Sequence, residues 1–151
     1  MISGKPVLIE GGLSVDDRGS VSFANDCDLS PFRRFYLVSN HQANQVRAWH
    51  AHQREAKAVM VISGAAIVAA VRVDDWFCPS TLPSLTKIHR HVLSASKPAA
   101  LLIPPGYANG FKTLTEGARL LWFSTATVEE SKADDYRWAW NYWNPWGVGN
   151  R

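Results

Sequence analysis

The stretch RAWHAHQREAK, residues 47–57, sets two histidines two positions apart, with an arginine before them and a lysine after. On a strand, residues two apart project to one face. His50 and His52 therefore point together, with Trp49 and Ala51 turned the other way. A pair of imidazoles on one face has three uses: it binds a metal, moves protons, or fills space with its polar atoms satisfied.

The metal reading needs a third and fourth ligand of the right type. Glu55 follows His52 after only two residues, tighter than the usual spacing of metal-binding barrels of this kind. The turn PPG (104–106) should precede a further histidine, and Asn109 stands in that place. His41, His89 and His91 have no matching turn. The expectation is no metal and no cofactor.

The proton-transfer reading needs less. A neutral imidazole takes a proton from carbon beside a carbonyl, and the resulting oxyanion needs a positive group nearby. Lys57, on the next strand, is the candidate if the pairing turns it to the same cavity; otherwise it is a solvated edge lysine. Arg47 offers a bidentate fork for phosphate. Its parity is opposite to that of His50, so sharing a cavity requires a twist or bulge. Arg18, in DDRGS, reaches an anion or pairs with Asp16 or Asp17. Tyr36, in RRFYLV, is a candidate acid or a core aromatic. The stretch YRWAWNYWNPW (136–146) carries four of the seven tryptophans. It stacks on a ring ligand, pins down the C-terminus, or makes a dimer contact.

Strands are what must position these groups. β-Branched and aromatic runs recur between turn signals: KPVLIE (5–10), GSVSFA (19–24), RRFYLVSN (33–40), QVRAWHAH (45–52), AKAVMVISG (56–64), AAIVAAVRV (65–73), TKIHRHVL (86–93), AALLIPPG (99–106), NGFKTL (109–114) and ARLLWFSTA (118–126). AVMVISGAAIVAAV could pass for a buried helix. Its β-branched residues and the Ser63-Gly64 turn predict two paired strands instead. A short helical turn is expected within VEESKADDY (128–136). Many short strands predict an all-β domain, a double-sheet jelly roll over residues 1–151 with a Trp-rich tail from about 136.

Composition excludes several classes. The net charge of +3 is small and its basic residues are spread along the 151-residue chain, so no nucleic-acid stripe is present. No run is long enough to span a bilayer as a helix, and MISGKPVLIEGG lacks a signal-peptide core. Cys27 and Cys78 form no paired spacing. A reducing, cytoplasmic setting is expected.

The order and spacing of the motifs resemble the nucleotide-sugar cupins, that is, the dTDP-4-dehydrorhamnose 3,5-epimerases and the related sugar 3,4-ketoisomerases. DDRGSVSF, PFRRFYLV and RAWHAHQ resemble ketoisomerase motifs. EAKAVMVISGAA and HVLSASKPAALLIPPGYANGF resemble epimerase ones. The resemblance covers roughly Asp16 to Tyr142. It implies a metal-free jelly-roll homodimer acting on a nucleotide-linked 4-keto-6-deoxy sugar. His50 matches the catalytic base, His52 the second ketoisomerase histidine, and Lys57 the epimerase lysine. Arg47 and Arg18 match the diphosphate contacts, and Tyr36 the first of a tyrosine pair. Asn109 replaces the second cavity histidine and is assigned to substrate contact. The epimerase acid is a tyrosine after the last long strand, where this chain reads STATVEES. Arg72 stands where an acid is expected, and the chain stops at Arg151, before the segment that supplies an Asp to orient the base. The expected activity is therefore epimerisation or isomerisation by proton abstraction. The alternatives are a non-catalytic sugar-binding cupin or a metal cupin built on His50 and His52.

Overall fold

The computed structural model describes residues 2–77 and 87–151; Cys78 lies outside them. Among the described residues, twelve strands and one helix follow in chain order: β1 (Val7–Glu10), β2 (Gly12–Asp16), β3 (Gly19–Phe23), β4 (Arg34–Ser39), β5 (Val46–Ala51), β6 (Lys57–Ser63), β7 (Ala65–Arg72), β8 (Ile88–Ser94), β9 (Ala99–Ile103), β10 (Tyr107–Thr113), β11 (Arg119–Ser124), α1 (Val128–Ala133) and β12 (Tyr136–Arg137). Two five-stranded antiparallel sheets form the body, in the orders β1-β9-β6-β11-β4 and β12-β5-β10-β7-β8; β2 and β3 make a separate hairpin. This is the expected jelly roll. Among the described residues no helix is long and apolar enough to cross a membrane.

The hydrophobic run of β7 shows why the helical reading fails. Ala66, Val68 and Ala70 face the core between the sheets, while Ile67, Ala69 and Val71 face a second cluster on the outer side. A strand buried on both faces reads as continuously apolar. The expected pairing of β6 with β7 does not occur. β6 pairs with β11 and β9, and β7 with β10 and β8. Gly64, at φ +69°, turns the chain from one sheet into the other. A Cβ there would lie 2.1 Å from Thr115 Oγ1, so a hairpin-like signal here marks a corner between layers.

The outer cluster is sealed by the C-terminal tail. Trp143 and Trp146 pack on Trp49, at ring distances of 5.4 and 5.0 Å. Trp49 Nε1 donates to the carbonyls of Trp140 and Trp143, and the Trp49 and Trp138 backbones exchange hydrogen bonds. The tail thus pins the C-terminus, one of its three expected roles. Helix α1 is the short helical turn expected in the stretch 128–136. It opens with a capping box in which Thr127 Oγ1 accepts from the Glu130 N–H and Glu130 Oε2 accepts from the Thr127 N–H. It ends at Asp134, whose carboxylate accepts from the backbone of Gln53 and Arg54. That contact ties the helix end to the turn between β5 and β6.

Candidate active site

Two adjoining cavities, of about 190 and 230 Å³, share Tyr36, His50 and Lys57 as walls. The first sheet supplies Tyr36 from β4, Lys57 from the start of β6 and Trp122 from β11. The second supplies Arg47 and His50 from β5 and Asn109 from β10. His52 borders the second cavity together with Arg34, Lys132, Asp135 and Arg137. His50, His52 and Lys57 therefore meet, as their strand positions predict.

The parity conflict between Arg47 and His50 is resolved by a bulge. Asn109 pairs with His50, but Phe111 pairs with Arg47, so three steps along β5 oppose two along β10. The extra residue restores Arg47 to the face that His50 occupies. Gly110 permits it: a Cβ at that position would lie 2.4 Å from Ala48 Cβ and 2.9 Å from Ala48 Cα. Only glycine allows the two backbones to approach so closely.

Electrostatics prepare the histidines as neutral groups. Burial, then the positive charges of Arg137 and Lys57, push the His50 imidazole down to about 4. Near neutral pH it holds a free lone pair. The pKa of His52 is lowered too, by burial first and Lys57 second. Its Nδ1 lies 2.5 Å from the Asp134 carbonyl. A carbonyl only accepts, so Nδ1 carries the proton and Nε2 is the acceptor.

Beneath the pair sits a group that the sequence pointed to only as a poor metal ligand. Glu55 is buried, with Oε1 accepting from Ser124 Oγ at 2.7 Å. The same oxygen lies 3.6 Å from Arg34 and 3.8 Å from Lys57, and Oε2 lies 3.3 Å from His52 Nδ1. A buried carboxylate requires such company. It helps to place the Lys57 ammonium, which also lies over the Tyr36 and Trp122 rings at 5.8 and 5.9 Å. Tyr36 stacks on Trp122, so it combines its expected core role with a place on the cavity wall.

Arg18 does not join this cleft. It sits at the tip of the β2–β3 hairpin, bound to Asp16 at 2.6 Å, and lines neither cavity. Arg137 was not legible as a site residue, because only the pairing of β12 with β5 sets it opposite His50. Asp135 joins it there, accepting from Arg137 Nε at 2.9 Å. Among the described residues, no three His, Cys, Asp or Glu side chains converge as metal ligands.

Known proteins place this architecture. A solved dTDP-4-dehydrorhamnose 3,5-epimerase from Bacillus anthracis, with TDP and PPi bound, superposes with a TM-score of 0.75 at 22% identity, over 96% of this chain and 86% of the other. A 3'-monoepimerase from Streptomyces bikiniensis in complex with dTDP-quinovose matches at a TM-score of 0.70 and 17% identity, over 87% and 68% of the two chains. A sugar 3,4-ketoisomerase from Thermoanaerobacterium thermosaccharolyticum in complex with TDP matches at 0.62 and 18%, over 91% of each. No curated relative matches by sequence. The family model for dTDP-4-dehydrorhamnose 3,5-epimerase spans residues 15–142, and with the fold and the motif order in agreement the chain belongs to that family.

Proposed function

We propose that the protein epimerises or isomerises a nucleotide-linked 4-keto-6-deoxy sugar, without a metal or cofactor, in deoxysugar or surface-polysaccharide synthesis. The observation that supports this most is the meeting of a neutral His50 and the ammonium of Lys57 in one cavity, from opposite sheets. The C–H bond beside the ketone breaks and its proton passes to His50. The electron pair moves into the carbonyl, and the charge on oxygen is met by Lys57. Return of a proton to the opposite face of the same carbon inverts it. Return elsewhere along the enediol moves the ketone.

His52, with Nε2 as acceptor and its ring fixed by Asp134, serves the second proton transfer or holds a sugar hydroxyl. Tyr36 is the reserve acid on the cavity wall. Asn109, opposite His50, contacts the sugar. Arg47 holds the diphosphate. Arg18 reaches it only from a partner subunit: the β2–β3 hairpin exposes Val15 by 70% and Val21 by 64%, an apolar ribbon suited to a second copy in a homodimer.

The test is solvent deuterium exchange into a panel of 4-keto nucleotide sugars, read by NMR. Deuterium is expected at a carbon flanking the ketone. Binding without exchange at any carbon would leave a sugar-binding protein instead.

A further inference from the structure

His52 borders a cavity of positive charge. Arg34, Lys57, Lys132 and Arg137 line it, and among the described residues around it Asp135 is the one acid. Like charges disfavour the ionised imidazole. A ring in such a place carries a proton only if an anion lies against it. Glu55, three residues on in the turn between β5 and β6, is that anion. Burial and Lys57 lower the pKa of His52, and Glu55 pushes it back up.

The two oxygens of Glu55 are used unequally. Oε1 meets Ser124, Arg34 and Lys57. Oε2 is buried, makes no hydrogen bond, and lies 3.3 Å from His52 Nδ1. A buried acceptor left short of a donor calls for a physical reason. The surroundings hold it there firmly. Ser124 Oγ fixes the carboxylate from β11, and the Asp134 carboxylate fixes the Gln53 and Arg54 N–H groups of the same turn. A proton gained at His52 Nε2 would turn the Nδ1–H into a charged donor, and Oε2 is placed to accept from it. The contact is thus incomplete with a neutral ring and complete with an imidazolium. His50 has the opposite neighbour. The β5–β12 register sets it against Arg137. Two imidazoles on one face therefore meet a cation in one case and an anion in the other, and such a split separates a base from an acid.

We propose that Glu55 is the positioning residue of His52, its second oxygen kept for the imidazolium, so that His52 delivers the proton of the second transfer after His50 has taken the first. This rests on the epimerase or isomerase reading and chooses between the two roles left to His52. Nε2 takes a proton from a sugar hydroxyl or from water, its lone pair forming the new N–H bond. On delivery the Nε2–H bond breaks and its electron pair stays on nitrogen. The proton joins the enediolate carbon, whose own electron pair makes the C–H bond as the carbonyl re-forms. Glu55 remains a carboxylate throughout and acts as counter-charge.

The test compares two rates on the 4-keto nucleotide sugar of the panel that takes up deuterium: uptake at the carbon that His50 opens, and formation of product, both read by NMR. In Glu55→Gln, turnover is expected to fall about 10- to 100-fold further than uptake, the worth of a hydrogen bond to a charged group. Taking the ratio cancels any slowing of uptake that comes through Lys57. Nitrogen-15 shifts of the imidazoles, followed against pH in the same variant, should show the His52 titration moved down and that of His50 in place. If Glu55→Gln does not fold, Glu55→Asp keeps the charge, draws Oε2 back from Nδ1, and gives the same comparison with a smaller fall. Turnover and uptake falling equally, or a His52 titration that stays where it is in wild type, would overturn the inference and leave the isomerase reading standing. A wild type that takes up deuterium into no sugar of the panel removes that reading and the inference with it.

Discussion

The second sheet is covered on both faces, but in opposite ways. Its outer face, carrying Trp49, Ala51, Ile67, Ala69, Val71 and Ala108, is closed by Trp143 and Trp146 into a dry aromatic cluster. Its inner face is packed along β7, yet opens into a cavity along β5, where Arg47 and His50 project. One strand thus carries a rigid back and a working front. The difference shows how a site can be both hollow and precise. Close packing behind β5 fixes the backbone from which His50 projects, while the bulge at Ala48 and Trp49 supplies the geometry in front.

Deleting each side in turn separates the two. His50→Asn is expected to slow deuterium exchange by about 10²–10⁴-fold, with thermal unfolding close to wild type. A large loss of stability would show that the front also carries the fold. Trp49→Ala should do the reverse. Removing a fully buried indole that anchors two tail tryptophans costs about 3–5 kcal/mol, visible as a lower urea midpoint. A midpoint unchanged by Trp49→Ala would mean that the tail cluster is dispensable.

Glu55→Gln sharpens the contrast within the front itself. The amide oxygen can still accept from Ser124, but the charge facing Lys57, Arg34 and His52 is gone. A stability loss of about 1–3 kcal/mol is expected, together with weaker exchange, because the lysine is less firmly placed to meet the oxyanion. Exchange at the wild-type rate would remove Glu55 from the positioning of Lys57.

The smallest expected effect is a pH slope. The folded-state value of His50 lies below the ordinary 6.5, at about 4. Between these values the unfolded chain binds a proton that the folded chain refuses, so stability falls as pH drops through that window and is unaffected by this group above it. Subtracting the profile of His50→Asn from that of wild type should isolate the slope. The same depression keeps the base available in acid, so the acid limb of kcat/KM should lie well below pH 6.5. An acid limb near 6.5 would show that His50 is not the group abstracting the proton.

Much of this protein is written locally. The β-branched and aromatic runs of β4 and β5, the turn signals between runs, and the HxH spacing that puts His50 and His52 on one side depend on neighbours along the chain, where steric rules act at short range. Ten of the strands follow from such signals, and the order of the motifs by itself points to the family. Strand partners are another matter. The Ser63-Gly64 corner looks like a hairpin until β11 and β9 compete for β6 and β10 and β8 for β7. Strand β12, at two residues, is too short for a periodic signal, and the alternation of β2 spans only Leu13-Ser14-Val15-Asp16. The site divides in the same way. His50, His52, Lys57 and Arg47 could be nominated from residue type and spacing. That Arg47 shares their cavity was decided by the register of β10 against β5 and by the missing Cβ of Gly110. Arg137, Asp134 and the partners of Glu55 were likewise decided by contacts between segments far apart in sequence. The chain alone determines which groups are available and which way each local segment turns. Only burial, which rewards one global pairing over its competitors, decides which of those groups face each other across the cleft.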